Sequence, residues 1–168
     1  MVVFQTANAQ TNYYNKTKTF YEEGYTYQCD NGGFIRLYNS LYYHYAGKWV
    51  RQKFKDTGEV FYLLHYEKED QTYDDVTPMR IMKRKVKRCL APYKHILHDE
   101  ELLMEFVIST TTGKIIEVFF EFTKFEHYTQ IPLSVYRNIE LAVIGTQFKL
   151  TDFGKRLNYL YMWHPVGA

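Results

Sequence analysis

A pair of apolar stretches joined by a short turn limits the possible folds of this chain more than any other feature of its sequence. Residues 102–109 are predominantly apolar, residues 110–113 read Thr-Thr-Thr-Gly, and residues 114–122 alternate in side-chain character. A period of two is typical of a β-strand, and a turn closed by glycine is typical of a hairpin. We therefore predict an antiparallel hairpin here. Its second strand carries Ile115, Glu117, Phe119 and Glu121 on one face, and Ile116, Val118, Phe120 and Phe122 on the other.

A helix is predicted before this hairpin, over residues 78–90. Thr77 and Pro78 are typical of a helix start, where threonine caps the helix and proline takes its first position. The segment also contains a basic run, residues 83–88. That run is either a patch for acidic polysaccharide, lipid headgroups or nucleic acid, or a solvated helix face, which we favour. The apolar stripe of this helix comprises Met79, Met82, Val86 and Cys89.

A second helix and a last strand follow the hairpin. Pro132 begins a predicted helix over residues 132–144, and Gly145 ends it. Residues 157–163 are aromatic and form the predicted last strand. The carboxyl-terminal part therefore has the order strand, strand, helix, strand.

Tyrosine dominates the amino-terminal part. The chain has 17 tyrosines and 12 phenylalanines, and twelve of the tyrosines lie within the first 76 residues. Aromatic residues favour half-buried sheet positions. After a polar lead-in at residues 11–17, short strands that include residues 20–29 and 41–45, with turns at residues 30–33 and 56–58, predict a meander of four or five antiparallel strands. The tyrosines either pack in this sheet or form a stacking platform for sugars or bases, and their alternation favours packing.

The predicted fold class is α+β, a Tyr-rich antiparallel meander followed by a β-β-α-β unit, with two main helices. Residues 11–76 form the β subdomain, which begins with a polar lead-in, and residues 77–168 form the second subdomain. With 168 residues, the chain buries enough surface to fold without a metal or a disulfide.

Residues 1–10 predict a location outside the cytosol. Ala7-Asn8-Ala9 is a small-x-small sequence, and residues 1–4 are apolar, as at the end of a secretory signal. We therefore interpret residues 1–10 as the remnant of a signal peptide and expect a periplasmic or secreted protein. If Met1 is the true start, a cytosolic protein is the alternative.

Charge and hydropathy exclude several partners. The net charge is only +2, from 21 basic and 19 acidic residues, so nothing draws the whole chain to nucleic acid. No apolar run approaches the ~20 residues that span a bilayer. We expect neither a nucleic-acid partner nor a membrane span.

Cys29 and Cys89 are the only cysteines. In an oxidising compartment they could form one disulfide, which would stabilise the fold by roughly 4 kcal/mol in the chain-entropy model. The alternative is two buried free thiols.

No catalytic motif is present: the sequence has no nucleophile elbow, P-loop or dinucleotide-binding glycine pattern. Glu117 and Glu121 share a strand face, as a pair of glycosidase carboxylates would, but we expect that face to be solvated. His95 and His98 have ligand-like spacing, but their loop setting favours solvated side chains. We therefore expect no catalytic residues, no metal, no cofactor and no enzymatic activity.

The stretch from residue 103 to residue 122, with its turn Gly113-Lys114-Ile115, resembles the opening hairpin of the TonB C-terminal domain. The following helix and last strand continue the same order. These 168 residues include no counterpart of the membrane anchor and Pro-rich spacer of TonB, so we expect the resemblance to imply a mode of binding rather than energy transduction. That mode is an exposed sheet edge, here residues 157–163, that accepts a peptide strand. The alternative is an edge covered by the amino-terminal half.

More broadly, three blocks resemble an uncharacterised family of small secreted proteins from Gram-negative gut bacteria. They are Thr-Asn-Tyr-Tyr-Asn at residues 11–15, Tyr-Thr-Tyr-Gln-Cys at 25–29, and Thr-Asp-Phe-Gly-Lys-Arg-Leu-Asn-Tyr at 151–159. This resemblance supplies no catalytic residues.

These observations predict a non-enzymatic module that binds an envelope protein or peptide through a sheet edge. The alternative is a carbohydrate-binding module that uses a Tyr/Trp surface. The candidate binding residues are Tyr159, Tyr161, Trp163, Trp49, Tyr43 and Tyr45.

Overall fold

The fold is described by a computed structural model for residues 12–22, 24–40, 50–62, 73–74 and 76–167. Its strands are β1 (Lys18–Glu22), β2 (Tyr25–Asn31), β3 (Ile35–Asn39), β4 (Tyr73–Asp74), β5 (Glu101–Ile108), β6 (Ile115–Phe122), β7 (Lys149–Leu150) and β8 (Leu160–Gly167). Its α-helices are α1 (Val76–Leu90), α2 (Lys94–Leu97), α3 (Leu133–Val143) and α4 (Asp152–Lys155), and short 3₁₀ turns occur at Ala91–Tyr93 and His127–Gln130.

Six of the described strands form one antiparallel sheet in the order β1-β2-β3-β6-β5-β8. The short strands β4 and β7 pair separately. Together with α1 and α3, this sheet confirms the predicted α+β class. Because β3 pairs with β6, the segments on either side of residue 76 contribute to the same sheet, and the predicted division there does not divide it.

Helices α1 and α3 pack on one face of the sheet, which we call the helix face. Both predicted helices are confirmed within two residues at each end. Alternate residues of β5 and β6, such as Phe106 and Phe120, point into this layer and are fully buried. The Tyr136 ring of α3 stacks on Phe122 of β6, with centroids 5.6 Å apart. Apolar burial of this kind is the main stabilising contribution to the fold.

The opposite face of the sheet, which we call the second face, is also partly buried. Glu117 was expected to be solvated, but it is only 2% exposed. That expectation is wrong because Glu117 shares this face with a second apolar cluster. One member of that cluster, Tyr159, bonds Val50 through its hydroxyl and Gln52 through its backbone carbonyl. The buried members of the cluster are Tyr38, Val107, Phe119 and Tyr159.

A β-bulge changes which face two residues of the hairpin occupy. Val107 pairs with Glu117 and Ile108 pairs with Ile115, so Ile116 is the extra residue. A bulge of this kind shifts the alternation by one position. Consequently Ile115 belongs to the core of the helix face and Ile116 packs against the second-face cluster, the reverse of the prediction.

The amino-terminal region differs from prediction at two points. Residues 20–29, predicted as one strand, are instead divided between β1 and β2, with Gly24 at the turn. Tyr14 was assigned to a polar lead-in but is fully buried, and its hydroxyl donates to the Ile131 carbonyl at 2.8 Å. The last strand also begins later than predicted, at Leu160.

Several predictions lie outside the described residues. These are the signal remnant at residues 1–10 and the predicted strand at residues 41–45. Within the described residues, none of the helices has the length and apolar character needed to cross a bilayer.

Candidate functional site

Strand β8 is the last strand of the six-stranded sheet among the residues that the structure describes. It pairs on one side with all eight residues of β5, from Leu160 opposite Ile108 to Gly167 opposite Glu101. The other terminal strand, β1, is shorter, with five residues. From Leu160 onward the last strand is therefore a terminal strand of the described sheet, whereas residues 157–159 of the predicted edge are bonded to residues 51–54 of the amino-terminal half.

The side chains of β8 alternate between the two faces of the sheet. Met162 and Val166 point into the helix-face core. Tyr161 and Trp163 point to the second face, where Tyr161 packs against the apolar cluster and Trp163 is 65% exposed. An exposed tryptophan on an edge strand provides a large apolar contact surface.

A shallow groove of about 320 Å³ lies between β8 and the first turns of α1. His164 of β8 forms one side of it. Val76, Met79, Arg80 and Lys83 of α1 form the other side. This position follows from the sequence of α1, because its apolar stripe packs on the sheet beside β8 and turns the neighbouring basic residues toward the strand edge.

The basic residues of α1 occupy one stripe. Residues spaced by three and four positions share a helix face, and the exposed cations of α1 follow this spacing. The helix contains no acidic residue. Lys85 departs from the stripe, and its Nζ donates to Thr146 Oγ1 at 3.3 Å. The stripe comprises Arg80, Lys83, Arg84, Lys87 and Arg88.

A polar network crosses the second face next to β8. Arg36 Nη2 of β3 donates to Glu105 Oε2 of β5 at 2.5 Å. The Tyr161 hydroxyl of β8 donates to the same carboxylate oxygen. Glu105 is 4% exposed, so this carboxylate is buried and depends on these donors.

Glu121 of β6 completes the network. Burial, together with a hydrogen bond to Glu105 and the charge of that carboxylate, raises the pKa of Glu121 to about 7, while Arg36 opposes the rise. Burial and the bond to Glu105 also raise the pKa of the Tyr161 hydroxyl. The sequence pattern indicated Glu121 as a candidate site residue, but it did not indicate Arg36 or Glu105. The only sign of these two in the sequence is that each is a charged residue within an apolar strand.

The predicted binding residues are not all brought together. Tyr161 and Trp163 lie two positions apart on the second face of β8. Tyr159 precedes the strand and is buried, and its hydroxyl donates to the Val50 carbonyl, so its ring is not part of an exposed surface. Trp49, Tyr43 and Tyr45 lie outside the described residues.

Cys29 and Cys89, the candidate disulfide, follow the alternative that the sequence left open. Both thiols are free. Cys29 lies on β2 and its thiol contacts the Lys16 carbonyl at 3.7 Å. Cys89 lies on α1, which packs on α3 and β8, and three strands separate β8 from β2. A disulfide needs Cα atoms within about 7 Å.

The histidines lie apart from β8. His127 Nδ1 contacts Glu100 Oε1 at 2.6 Å, and the His98 and His127 rings are 5.8 Å apart. The sequence did not indicate His127 as a neighbour of His98. Within the described residues, no group of three or more histidine, cysteine, aspartate or glutamate side chains is arranged to hold a metal ion.

Comparison with known proteins gives a family and a related structure. Residues 10–163 match the family described as Domain of unknown function (DUF5043). The crystal structure of a DUF5043 family protein from Bacteroides uniformis ATCC 8492, at 1.85 Å resolution, is similar to this chain, with a TM-score of 0.79 and 31% sequence identity over 94% of each chain. No curated protein matches the chain. The TonB resemblance and secretion stay predictions.

Proposed function

The chain belongs to the DUF5043 family, and we propose that it is a non-enzymatic module that binds an extended segment of another protein along the outer edge of β8. The observation that carries this proposal is the terminal position of β8 in the described sheet. A terminal strand presents backbone N–H and C=O groups that a second chain pairs with by strand addition.

The proline in β8 indicates which backbone groups face outward. Pro165 lies opposite Leu103 of β5. Proline has no N–H and is accepted in edge strands where that N–H would face away from the neighbour. Because neighbouring residues alternate in direction, the backbone groups of Tyr161 and Trp163 also face outward, and they offer both donors and acceptors.

Side chains on both faces of β8 would then contact an added strand. Residues of the partner on the second face meet the exposed Trp163 ring. Residues on the helix face meet the groove beside His164. The backbone pairing supplies affinity, and these two surfaces supply selectivity for alternate side chains.

A displayed library of random peptides of about ten residues, the upper length of most strands, tests the proposal. We expect selected peptides to bind the purified protein. The same peptides with N-methyl groups on alternate backbone nitrogens should lose binding, because methylation removes the donors to β8. Two outcomes would contradict strand addition. One is that no peptide is selected. The other is that binding is unchanged whichever of the two alternating series of backbone nitrogens is methylated.

Two variants of one residue separate backbone from side-chain effects. Trp163→Thr removes the indole and keeps the N–H, whereas Trp163→Pro removes both. We expect the proline variant to bind much more weakly than the threonine variant. Circular dichroism of both variants establishes that each is folded.

The exposure of Trp163 beside polar groups also favours a second candidate, a carbohydrate-binding surface on the second face. Sugar rings stack on exposed tryptophan, and the polar network of Arg36, Glu105 and Tyr161 lies on the same face of the sheet. Glycan titration followed by tryptophan fluorescence tests this candidate. A change of fluorescence that the Trp163→Thr variant loses would support it, and the absence of any change would contradict it.

A periplasmic or extracellular location is part of the proposal, and its support is the Ala7-Asn8-Ala9 sequence. Intact mass measured on protein from separated cell fractions tests it. A periplasmic or secreted species that begins at Gln10 or Thr11 would support the location. A cytosolic species that retains Met1 would contradict it.

A further inference from the structure

We propose that the segment bound at β8 carries carboxylates on the side that faces α1 and apolar residues on the other side. This inference rests on the proposed strand addition and names the chemistry of the partner. It follows from the different charges that the structure places above and below the strand edge.

The helix-face side of the edge is basic. His164 points to this side, and Arg80 and Lys83 line the groove opposite it. A strand added to β8 would place every second side chain in this groove, since side chains alternate between sheet faces. The groove also has an apolar lining, since Met79 is buried at its floor and Val76 is exposed at its rim. A partner side chain with an aliphatic stem and a terminal carboxylate therefore fits both the apolar lining and the basic residues.

The cations of α1 have no acidic residue beside them on their own helix. Five like-charged side chains follow one helix stripe at spacings of three and four residues, which destabilises an isolated helix. Among the ion pairs formed by described residues, none includes a cation of α1. An anionic partner would relieve this repulsion, and its charge is complementary to the stripe.

The other side of the edge has the opposite character. Trp163 covers it with an exposed indole, and Glu105 and Glu121 lie behind it on β5 and β6. Glu105 on this side is buried and paired with Arg36, so a carboxylate of the partner would lie against the apolar Trp163 ring, which is unfavourable. Apolar or aromatic partner residues are therefore expected here, so that acidic and apolar residues alternate along the segment.

Two synthetic peptides of about ten residues test the inference, one of alternating valine and glutamate and one of alternating valine and lysine. We expect the glutamate peptide to bind the protein about tenfold more tightly at low salt, and the difference to shrink as ionic strength rises. The double variant Arg80→Glu, Lys83→Glu should invert the preference. The control Arg84→Glu, Arg88→Glu makes the same change of net charge on the same helix but outside the groove, and it should retain the preference.

The outcomes separate this inference from the proposed function. Binding of both peptides with equal affinity, or the same preference in the groove variant, would overturn the acidic side while leaving strand addition intact. Equal loss of preference in the groove and control variants would also overturn it, because net charge rather than the groove would then be responsible. Binding of neither peptide would overturn both proposals.

Discussion

Arg36 of β3 reaches over the intervening strand β6 to Glu105 of β5, and its guanidinium lies above the ring of Phe119 on the way. The Arg36 Cζ atom is 5.1 Å from the centre of that ring, and Nη2 is 2.5 Å from Glu105 Oε2. This contact ties three neighbouring strands together on the second face. Tyr161 extends it to a fourth strand, the proposed binding edge β8.

Removal of the arginine should therefore destabilise the protein strongly. In Arg36→Met, the buried Glu105 carboxylate loses its cationic partner, and the stacking on Phe119 loses its charge. We expect unfolding to require about 3 kcal/mol less free energy than in the parent protein. Urea denaturation followed by circular dichroism measures this difference.

An exposed ion pair supplies the matched control for that change. Arg156 contacts Asp56 at 2.9 Å, and both side chains are about half exposed. Arg156→Met should change the stability little, since solvent screens such pairs. Equal effects of the two arginine substitutions would contradict the structural role assigned to Arg36.

The pKa of Glu121 predicts a specific dependence of stability on pH. In the folded protein this pKa is raised from 4.5 to about 7. Between these values the unfolded chain has lost the proton and the folded protein has kept it. The contribution of Glu121 to the free energy of unfolding is therefore fully present below pH 4.5, and it is lost as the pH rises to about 7.

Glu121→Gln keeps the side chain neutral and should remove this dependence. We expect the variant to be more stable than the parent protein at pH 8, with the difference shrinking toward acid pH. Urea midpoints at several pH values measure the difference, and Glu101→Gln, an exposed position on β5, serves as the control. A variant less stable than the parent at pH 8 would contradict the raised pKa.

Local periodicity predicted the regular elements of the fold well. The hairpin β5–β6 and the helices α1 and α3 have strong apolar periods and were predicted nearly to their ends. The bulge at Ile116 was not predicted, because its only cause is the pairing of two strands. The alternation of side chains along one strand does not indicate where its pairing with the neighbouring strand shifts by one residue.

Contacts between distant residues could not be predicted from local patterns. Tyr14 looked like part of a polar segment, but its hydroxyl bonds a carbonyl 117 positions away. The sheet order also joins β3 to β6, which brings Arg36 to Glu105. An edge position for the last strand was one of two alternatives that the sequence left open, whereas the groove beside it required the packing of α1 on the sheet.

The free cysteines predict two different thiol reactivities. Burial, with a smaller contribution from Asp30 and against the effect of Lys18, raises the pKa of Cys29 to about 11, and its side chain is fully buried. Cys89 is only half-buried. Because the exposed thiolate is the reactive form, a thiol reagent such as dithionitrobenzoate should modify Cys89 in the native protein and Cys29 only after unfolding.

The variant Cys89→Ser identifies which thiol reacts first. It should show almost no reaction until denaturant is added, and then one thiol. A protein without titratable thiols in denaturant, with a mass lower by two hydrogens, would instead mean that the two cysteines are bridged.

The last prediction concerns the turn that joins β5 to β6. Gly113 has a positive φ of 71°, and a Cβ atom there would lie 2.4 Å from Gln147 Nε2 and 2.6 Å from the Phe148 carbonyl oxygen. The Gly113 carbonyl accepts a hydrogen bond from Phe148 N–H at 2.8 Å, so the backbone oxygen cannot move away freely. Gly113→Ala should therefore destabilise the protein by about 3 kcal/mol, from left-handed backbone strain and overpacking together.

Gly58 provides a control with the same backbone strain and no steric conflict. Its φ is 75°, and a Cβ atom there would meet nothing within 4 Å. Gly58→Ala should cost only the backbone term, about 1 kcal/mol. Thermal and urea denaturation of both variants measure the two losses. Equal losses in the two variants would contradict the steric conflict at Gly113. The close packing of residues 147–148 against this turn would then make no contribution to stability.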